Sequence, residues 1–153
     1  MKISFKAAEI ADELILATLR REFDNFEPFP KRLDEATNRA ALRQLIENEL
    51  YGKIWLISAD EETVGYVVLI FGYSLECAGR DALIDELFLR EAARNRGIGR
   101  ETLNFITDFC RRIDIKAIHL EVEHKNKRAQ GVYHRAGFVD HDRYFLTKWI
   151  DSF

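Results

Sequence analysis

Leu83-Ile84-Asp85-Glu86-Leu87-Phe88-Leu89-Arg90-Glu91-Ala92-Ala93-Arg94-Asn95-Arg96-Gly97-Ile98-Gly99-Arg100 is the stretch from which the fold is read. Its first part is an apolar run of strand length. Beyond Gly99, Leu103, Ile106, Phe109, Cys110 and Ile113 recur at helical spacing. A strand that enters a helix through a glycine turn leaves the first N–H groups of that helix exposed at its positive end, a natural seat for a phosphate. Glycine lets a bulky anion approach the backbone without a Cβ in the way. The local charge agrees, with Arg90, Arg94, Arg96 and Arg100 set against Glu91 alone.

Two better-known glycine loops do not fit. A dinucleotide fingerprint needs a third glycine where Thr102 stands, and a phosphate-binding Walker loop needs Lys-Ser/Thr where Arg100-Glu101 stand.

Outward from this stretch the remaining elements follow by period and punctuation. Ile3 and Phe5 alternate with polar residues as a short strand. Ile10, Leu14, Ala17 and Thr18 begin a helix that should stop in residues 24–30, where Pro28 and Pro30 remove donors. A second helix is predicted from Leu33 to about Leu50. Residues 54–58 and 64–73 read as a hairpin across Asp60-Glu61-Glu62-Thr63, and the turn-like 78–81 leads into the strand at 83–89. Ile118, Leu120 and Val122 mark a further strand. Asn126 is the predicted N-cap of a last helix and Gly137 its C-terminal stop. Phe138-Val139 and residues 144–150 are expected to close the chain as a hairpin. The expected order, β-α-α-β-β-β-α-β-α-β-β, is a single mixed α/β (α+β) domain over residues 1–153, with a right-handed parallel crossover from 83 to 122.

Three blocks carry a resemblance: Ile84-Asp85-Glu86-Leu87-Phe88-Leu89, then Arg94-x-x-Gly97-x-Gly99, then Asn126-x-x-Ala129-x-x-x-Tyr133-x-x-x-Gly137-Phe138. Together they resemble the GNAT superfamily of acetyl-CoA-dependent N-acetyltransferases over about residues 83–138. The resemblance implies a central sheet splayed between the strands at 83–89 and 118–122, with the pantetheine arm of acetyl-CoA in the gap. It implies that backbone groups of Leu87 and Leu89, with Phe88 between them, meet that arm. The amides of Asn95, Arg96, Gly97, Ile98, Gly99 and Arg100 would cradle the pyrophosphate, with Arg94 and Arg96 adding charge. Many relatives carry glycine where Asn95 stands. Asn126 would touch the cofactor arm and Ala129 would let it pass. Tyr133 would be the proton donor to the departing thiolate. Residues 24–30 correspond to a substrate-facing region, so Asp24, Phe26 and Glu27 are candidate acceptor contacts. In polyamine-acetylating relatives the acid matching Asp85 helps bind the amine.

The chemistry explains these residue types. A thiol has a pKa of roughly 8.5 and a phenol roughly 10, so proton transfer between them is feasible once the site tunes it. A primary amine of pKa roughly 10.4 leaves only about one molecule in a few thousand neutral at pH 7, so a carboxylate must take its surplus proton. Asp85 and Glu86 border the expected cleft. Strict alternation would set Glu86 on a face with Ile84 and Phe88, and Asp85 on a face with Leu83 and Leu87. Glu86 ranks slightly ahead of Asp85 as base. Phe88 and Phe105 would have to admit any longer acyl group. His119, Glu121 and Glu123 would share one face, read as a polar sheet face, and no metal is expected.

Composition bounds the rest. Of 153 residues 47% are hydrophobic and the net charge is −3, so the chain can build a core and lacks the basic excess of a nucleic-acid coat. Residues 1–80 hold ten basic and fourteen acidic side chains, a mild bias toward a small cationic amine as substrate. Cys77 and Cys110 fall in apolar stretches and are expected to be buried free thiols. No apolar leader and no membrane-length run is visible, so a cytoplasmic protein without membrane partners is expected. Dimerisation is common in the family, so a homodimer is an implied assembly. Two alternatives stand beside the small-amine enzyme: a non-catalytic coenzyme A-binding or protein-interaction module, and a transferase for peptide or protein amines.

Overall fold

Apolar runs and their punctuation become nine regular elements in the computed structural model, which describes residues 1–151. They are β1 (Ile3–Ala7), α1 (Glu13–Phe26), α2 (Glu35–Glu47), β2 (Gly52–Ala59), β3 (Glu62–Ser74), β4 (Gly79–Leu89), α3 (Ile98–Arg112), β5 (Ala117–Leu120) and α4 (Lys127–Arg135). The strands form one sheet in the order β1-β2-β3-β4-β5. Its first three pairings are antiparallel and β4–β5 is parallel. The mixed α/β class expected from the sequence is therefore the class observed.

Helices cover both faces. On one, Ile98, Leu103, Ile106 and Cys110 of α3 bury against Trp55, Val67, Leu69 and Ile84, with Phe105 stacked 4.3 Å from Phe5. On the other, Leu16 and Leu19 of α1 and Leu42 of α2 bury against Ile54, Leu56, Tyr66, Val68 and Phe88. Each such side chain removed from water contributes about 1.5–3 kcal/mol before chain entropy is set against it. Glu13 is buried between α1 and α2, and Arg39 and Arg43 of α2 donate to its carboxylate. Those donors hold its pKa below the ordinary range, Arg43 most strongly. At the entry to α2, Asp34 caps the helix by accepting the Thr37 N–H at 2.7 Å.

Two departures from regularity shape the site. The β3–β4 register slips so that Val68 faces Glu86 while Leu69 faces Ile84, leaving Asp85 as a bulge. Alternation is broken there. Ile84 and Leu87 both pack on the α3 side, whereas Glu86 turns with Phe88 toward α1. The expected sharing of a face by Glu86 and Ile84 is corrected by this one extra residue. Second, β4 and β5 pair only from Asp81–Ala117 to Ile84–Leu120. Beyond them β4 runs on to Leu89 with no strand on that side among the described residues, which is the expected splay.

Several expectations shift. The β3–β4 turn lies at residues 75–78, so β4 begins at Gly79. β5 stops at Leu120, so Glu121 and Glu123 do not continue a strand face with His119. Phe88 and Phe105 pack on opposite sides of the sheet and do not line one pocket. Cys110 is buried, and burial pushes its thiol up to about 11, but Cys77 is only half-buried, in the turn. Phe138-Val139 and residues 144–150 form no strand. The edge offered by β5 is four residues long, and Tyr144, Phe145 and Leu146 are apolar in succession, so no face selects a register.

Candidate active site

The loop after β4 builds an anion seat from backbone. Gly97, the residue before α3, has φ +82°, a left-handed conformation that favours glycine, and no side chain caps the helix. The first in-loop bond to reach back is Glu101 N–H to Gly97 O at 3.1 Å, so the N–H groups of Ile98, Gly99 and Arg100 carry no helical acceptor. A Cβ added at Gly97 or Gly99 would meet no atom within 4 Å, so the space over both is open. Asn95 takes φ +63°, a left-handed conformation that asparagine tolerates better than most residues. The donor set and the open cradle fit a diphosphate.

The arginines of this loop divide. Arg90 clamps Glu22 with both Nε and Nη2 at 2.9 and 2.8 Å, tying the loop to α1. Arg94 donates to the Leu89 carbonyl at 2.8 Å and lies 4.0 Å over the Phe26 ring. Phe26 thereby joins the end of α1 to the loop. Arg96 and Arg100 remain exposed beside the amide cradle.

Glu86 is held by two partners. Arg20 Nε donates to its oxygens at 2.9 and 3.2 Å and the Tyr66 hydroxyl donates at 2.8 Å. Arg20 also donates to Asn38 and lies 5.2 Å from the Phe29 ring. Burial opposes the Arg20 charge, but Glu86 outweighs it and keeps the guanidinium pKa raised. Tyr66 is pushed well above an ordinary phenol, by burial first and by Glu86 next. Asp85 differs. It bulges out on the exposed rim of the splay, where partial desolvation and the charges of Glu86 and Glu121 raise its carboxyl above the usual range.

Tyr133 is placed by the end of α4. Phe138 N–H reaches back to Tyr133 O at 3.1 Å and Gly137 N–H to His134 O at 3.0 Å, a paired C-terminal cap with Gly137 at φ +96°. The Tyr133 and Phe138 rings meet edge-on at 6.0 Å, which completes that cap. Burial first, and the Glu27 carboxylate second, raise the phenol above its ordinary value. At the other end of α4, Asn126 accepts the Ala129 N–H at 3.1 Å as the expected N-cap, so one face of its amide is already engaged.

Sequence reasoning placed Glu27 in a substrate loop but had no signal for its neighbour. Glu27 lies close to Glu123 of the β5–α4 connection. Burial first and the neighbouring Glu123 next raise Glu27, while Lys125 first and Glu27 second lower Glu123. The Glu27 carboxyl also acts on the Tyr133 phenol, so the three groups lie near one another. Asp24 does something else: its Oδ1 accepts the Phe29 N–H at 2.8 Å and staples the loop. The structure thus gathers Glu27, Glu123 and Tyr133, places Asp85 beside Glu121, and keeps Asp24 in a structural bond.

Comparison with known proteins accords with this arrangement. The acetyltransferase (GNAT) family model matches residues 15–138. An uncharacterised N-acetyltransferase, YhfO, of Bacillus subtilis (strain 168) is 24% identical over 139 residues, covering 90% of this chain and 91% of its own length. The crystal structure of an integron cassette protein, HFX_CASS3, from the mobile metagenome of Cole Harbour Salt Marsh superposes with a TM-score of 0.84 at 31% identity. That match covers 97% of this chain and 91% of the other. A predicted acetyltransferase from Clostridium acetobutylicum, crystallised with acetyl-CoA, shares the fold at 18% identity and TM-score 0.79 over 96% of both chains. The chain belongs to the acetyltransferase (GNAT) family. It is an acyltransferase of the N-acetyltransferase class.

Proposed function

We propose that this protein moves the acetyl group of acetyl-CoA to the primary amine of a small cationic molecule by direct transfer in a ternary complex. The observation that carries the proposal is the parting of β4 from β5 after Ile84 and Leu120, next to an uncapped helix start with open space over two glycines. The amides of residues 95–100 and the exposed Arg96 and Arg100 would hold the diphosphate, and the backbone of Leu87 would pair with the pantetheine arm. Acetyl-CoA supplies an activated carbonyl and a thiolate leaving group.

The chain's own groups do the rest. Asp85, exposed at the rim with a raised pKa, accepts the proton of the incoming ammonium. Tyr133, kept protonated by burial, donates a hydrogen bond where the thiolate departs. Glu86 is bound up with Arg20 and Tyr66 and holds the bulge in place as a positioning residue. Carboxyls arriving from the end of α1, from β4 and from the β5–α4 connection repel one another until a cation enters. This favours an acceptor with a second positive charge beside the reacting amine. Cytoplasmic placement and homodimerisation complete the proposal, the latter supported by the exposed apolar Tyr144, Leu146 and Ile150.

Coenzyme A release, followed with a thiol reagent over diamines, polyamines, aminoglycosides, monoamines and lysine peptides, tests it. Diamine-like acceptors should be favoured at least about tenfold in kcat/KM. Tight coenzyme A binding without release from any amine would support the non-catalytic alternative, and a preference for peptides would support a peptide amine.

A further inference from the structure

At the end of β4 remote from the splay, three side chains of different chemistry converge, and none belongs to the acetyl-transfer site. Cys77 comes from the β3–β4 turn, Asp81 from β4 and His119 from β5. Their candidate ligand atoms all lie within 4.8 Å of one another, and His119 Nε2 is 3.1 Å from Asp81 Oδ2.

The backbone explains the convergence. Parallel pairing sets Asp81 beside Ala117 and Leu83 beside His119, so Asp81 and His119 project from the same sheet face one diagonal step apart. Ala78, at φ +57°, tightens the turn, and the Cys77 N–H donates to Ser74 Oγ at 3.4 Å, which brings the thiol back over the start of β4. Across the ladder from Asp81 stands Gly72, where an added Cβ would sit 2.7 Å from Asp81 Oδ1. Any larger residue there would displace the carboxylate. The three groups also line one cavity of about 920 Å³, whose wall includes Glu76, Glu121 and His141.

We propose that Cys77, Asp81 and His119 form a binding site for a thiophilic divalent cation of the zinc or cobalt(II) kind. Thiolate, imidazole and carboxylate together select such ions over magnesium or calcium, which take oxygen donors. Ligands at roughly 2.0–2.3 Å from a tetrahedral ion stand about 3.4–3.6 Å apart. The cluster reaches that spacing by opening the His–Asp contact slightly and drawing the thiol in. The remaining position falls to water or to a side chain of the cavity wall. A bound ion would clasp the β3–β4 turn to β5, whose pairing with β4 is only four residues long.

Cobalt(II) titration of the chelator-stripped full chain tests the site directly. The expected result is saturation at about one equivalent, with thiolate-to-cobalt charge-transfer absorption that zinc abolishes by displacement and magnesium does not. Cys77→Ser should remove the charge-transfer band, and His119→Gln should weaken binding at least about tenfold. Cys110→Ser and His134→Gln should leave both unchanged. Absence of a saturable band, or a band that survives Cys77→Ser or vanishes with Cys110→Ser, overturns the assignment. Thermal melts of each variant confirm the fold, and the conservative changes at half-exposed Cys77 and exposed His119 keep the measurement interpretable.

Discussion

Replacing Glu86 by glutamine separates a positioning carboxylate from a base. The native carboxylate accepts from Arg20 Nε and from the Tyr66 hydroxyl, and its side chain and that of Arg20 are only 12% and 14% exposed. Glutamine keeps an acceptor oxygen but removes the charge and turns an NH2 group toward existing donors. Arg20 then sits buried against a neutral partner, although Asn38 still accepts from it. Losing one partner of a buried pair costs about 3–5 kcal/mol, and a charged hydrogen bond about 1.5–3. The residual acceptor puts Glu86→Gln near ~2–4 kcal/mol, a fall in Tm of roughly 5–15 °C for a chain of this size. Calorimetry and steady-state coenzyme A release on the same preparations provide the assay. Glu86→Gln should melt early yet keep kcat within a few-fold at a temperature where it is folded. Asp85→Asn should melt normally and lose about 10²–10⁴ in kcat. Asp85 should also set the pH profile. Its folded pKa is raised, so the base is lost as pH falls through a value above the ordinary aspartate range, and that acid limb should vanish in Asp85→Asn. An unperturbed melt for Glu86→Gln with a hundredfold loss of turnover would reverse the two roles.

Three further substitutions test the remaining parts. Tyr133→Phe should lower kcat about a hundredfold while coenzyme A affinity by calorimetry stays within twofold, and unchanged turnover would remove the phenol from the mechanism. Gly97→Glu should abolish coenzyme A binding by filling the open cradle with negative charge. Because Gly97 has a left-handed φ, Gly99→Glu provides the unstrained companion, and normal binding by both would refute the diphosphate seat.

Legibility followed the range of the physical cause. The glycine turn, the Asn126 cap and the Gly137 stop are written in residues a few positions apart, and each appears where the sequence placed it. The end of α1 before Pro28 and Pro30 is legible for the same reason. The closing hairpin was not, because adjacent apolar residues at 144–146 specify no face and the β5 edge is too short to select one. Glu123 was missed as a partner of Glu27 because nothing local links positions so far apart in the chain.

The amino-acid order by itself determined the kinds and sequence of elements from β1 to α4, the glycine turn and the family, since those depend on period, capping and spacing within short windows. Only the tertiary structure decided where each carboxylate sits and what it bonds. One bulged residue turned Glu86 toward Arg20 and Tyr66 and left Asp85 at the rim, and the early parting of β4 from β5 opened the space between. Register and long-range charge pairing depend on how whole elements stack, and a linear pattern does not encode which stacking lies lowest in free energy.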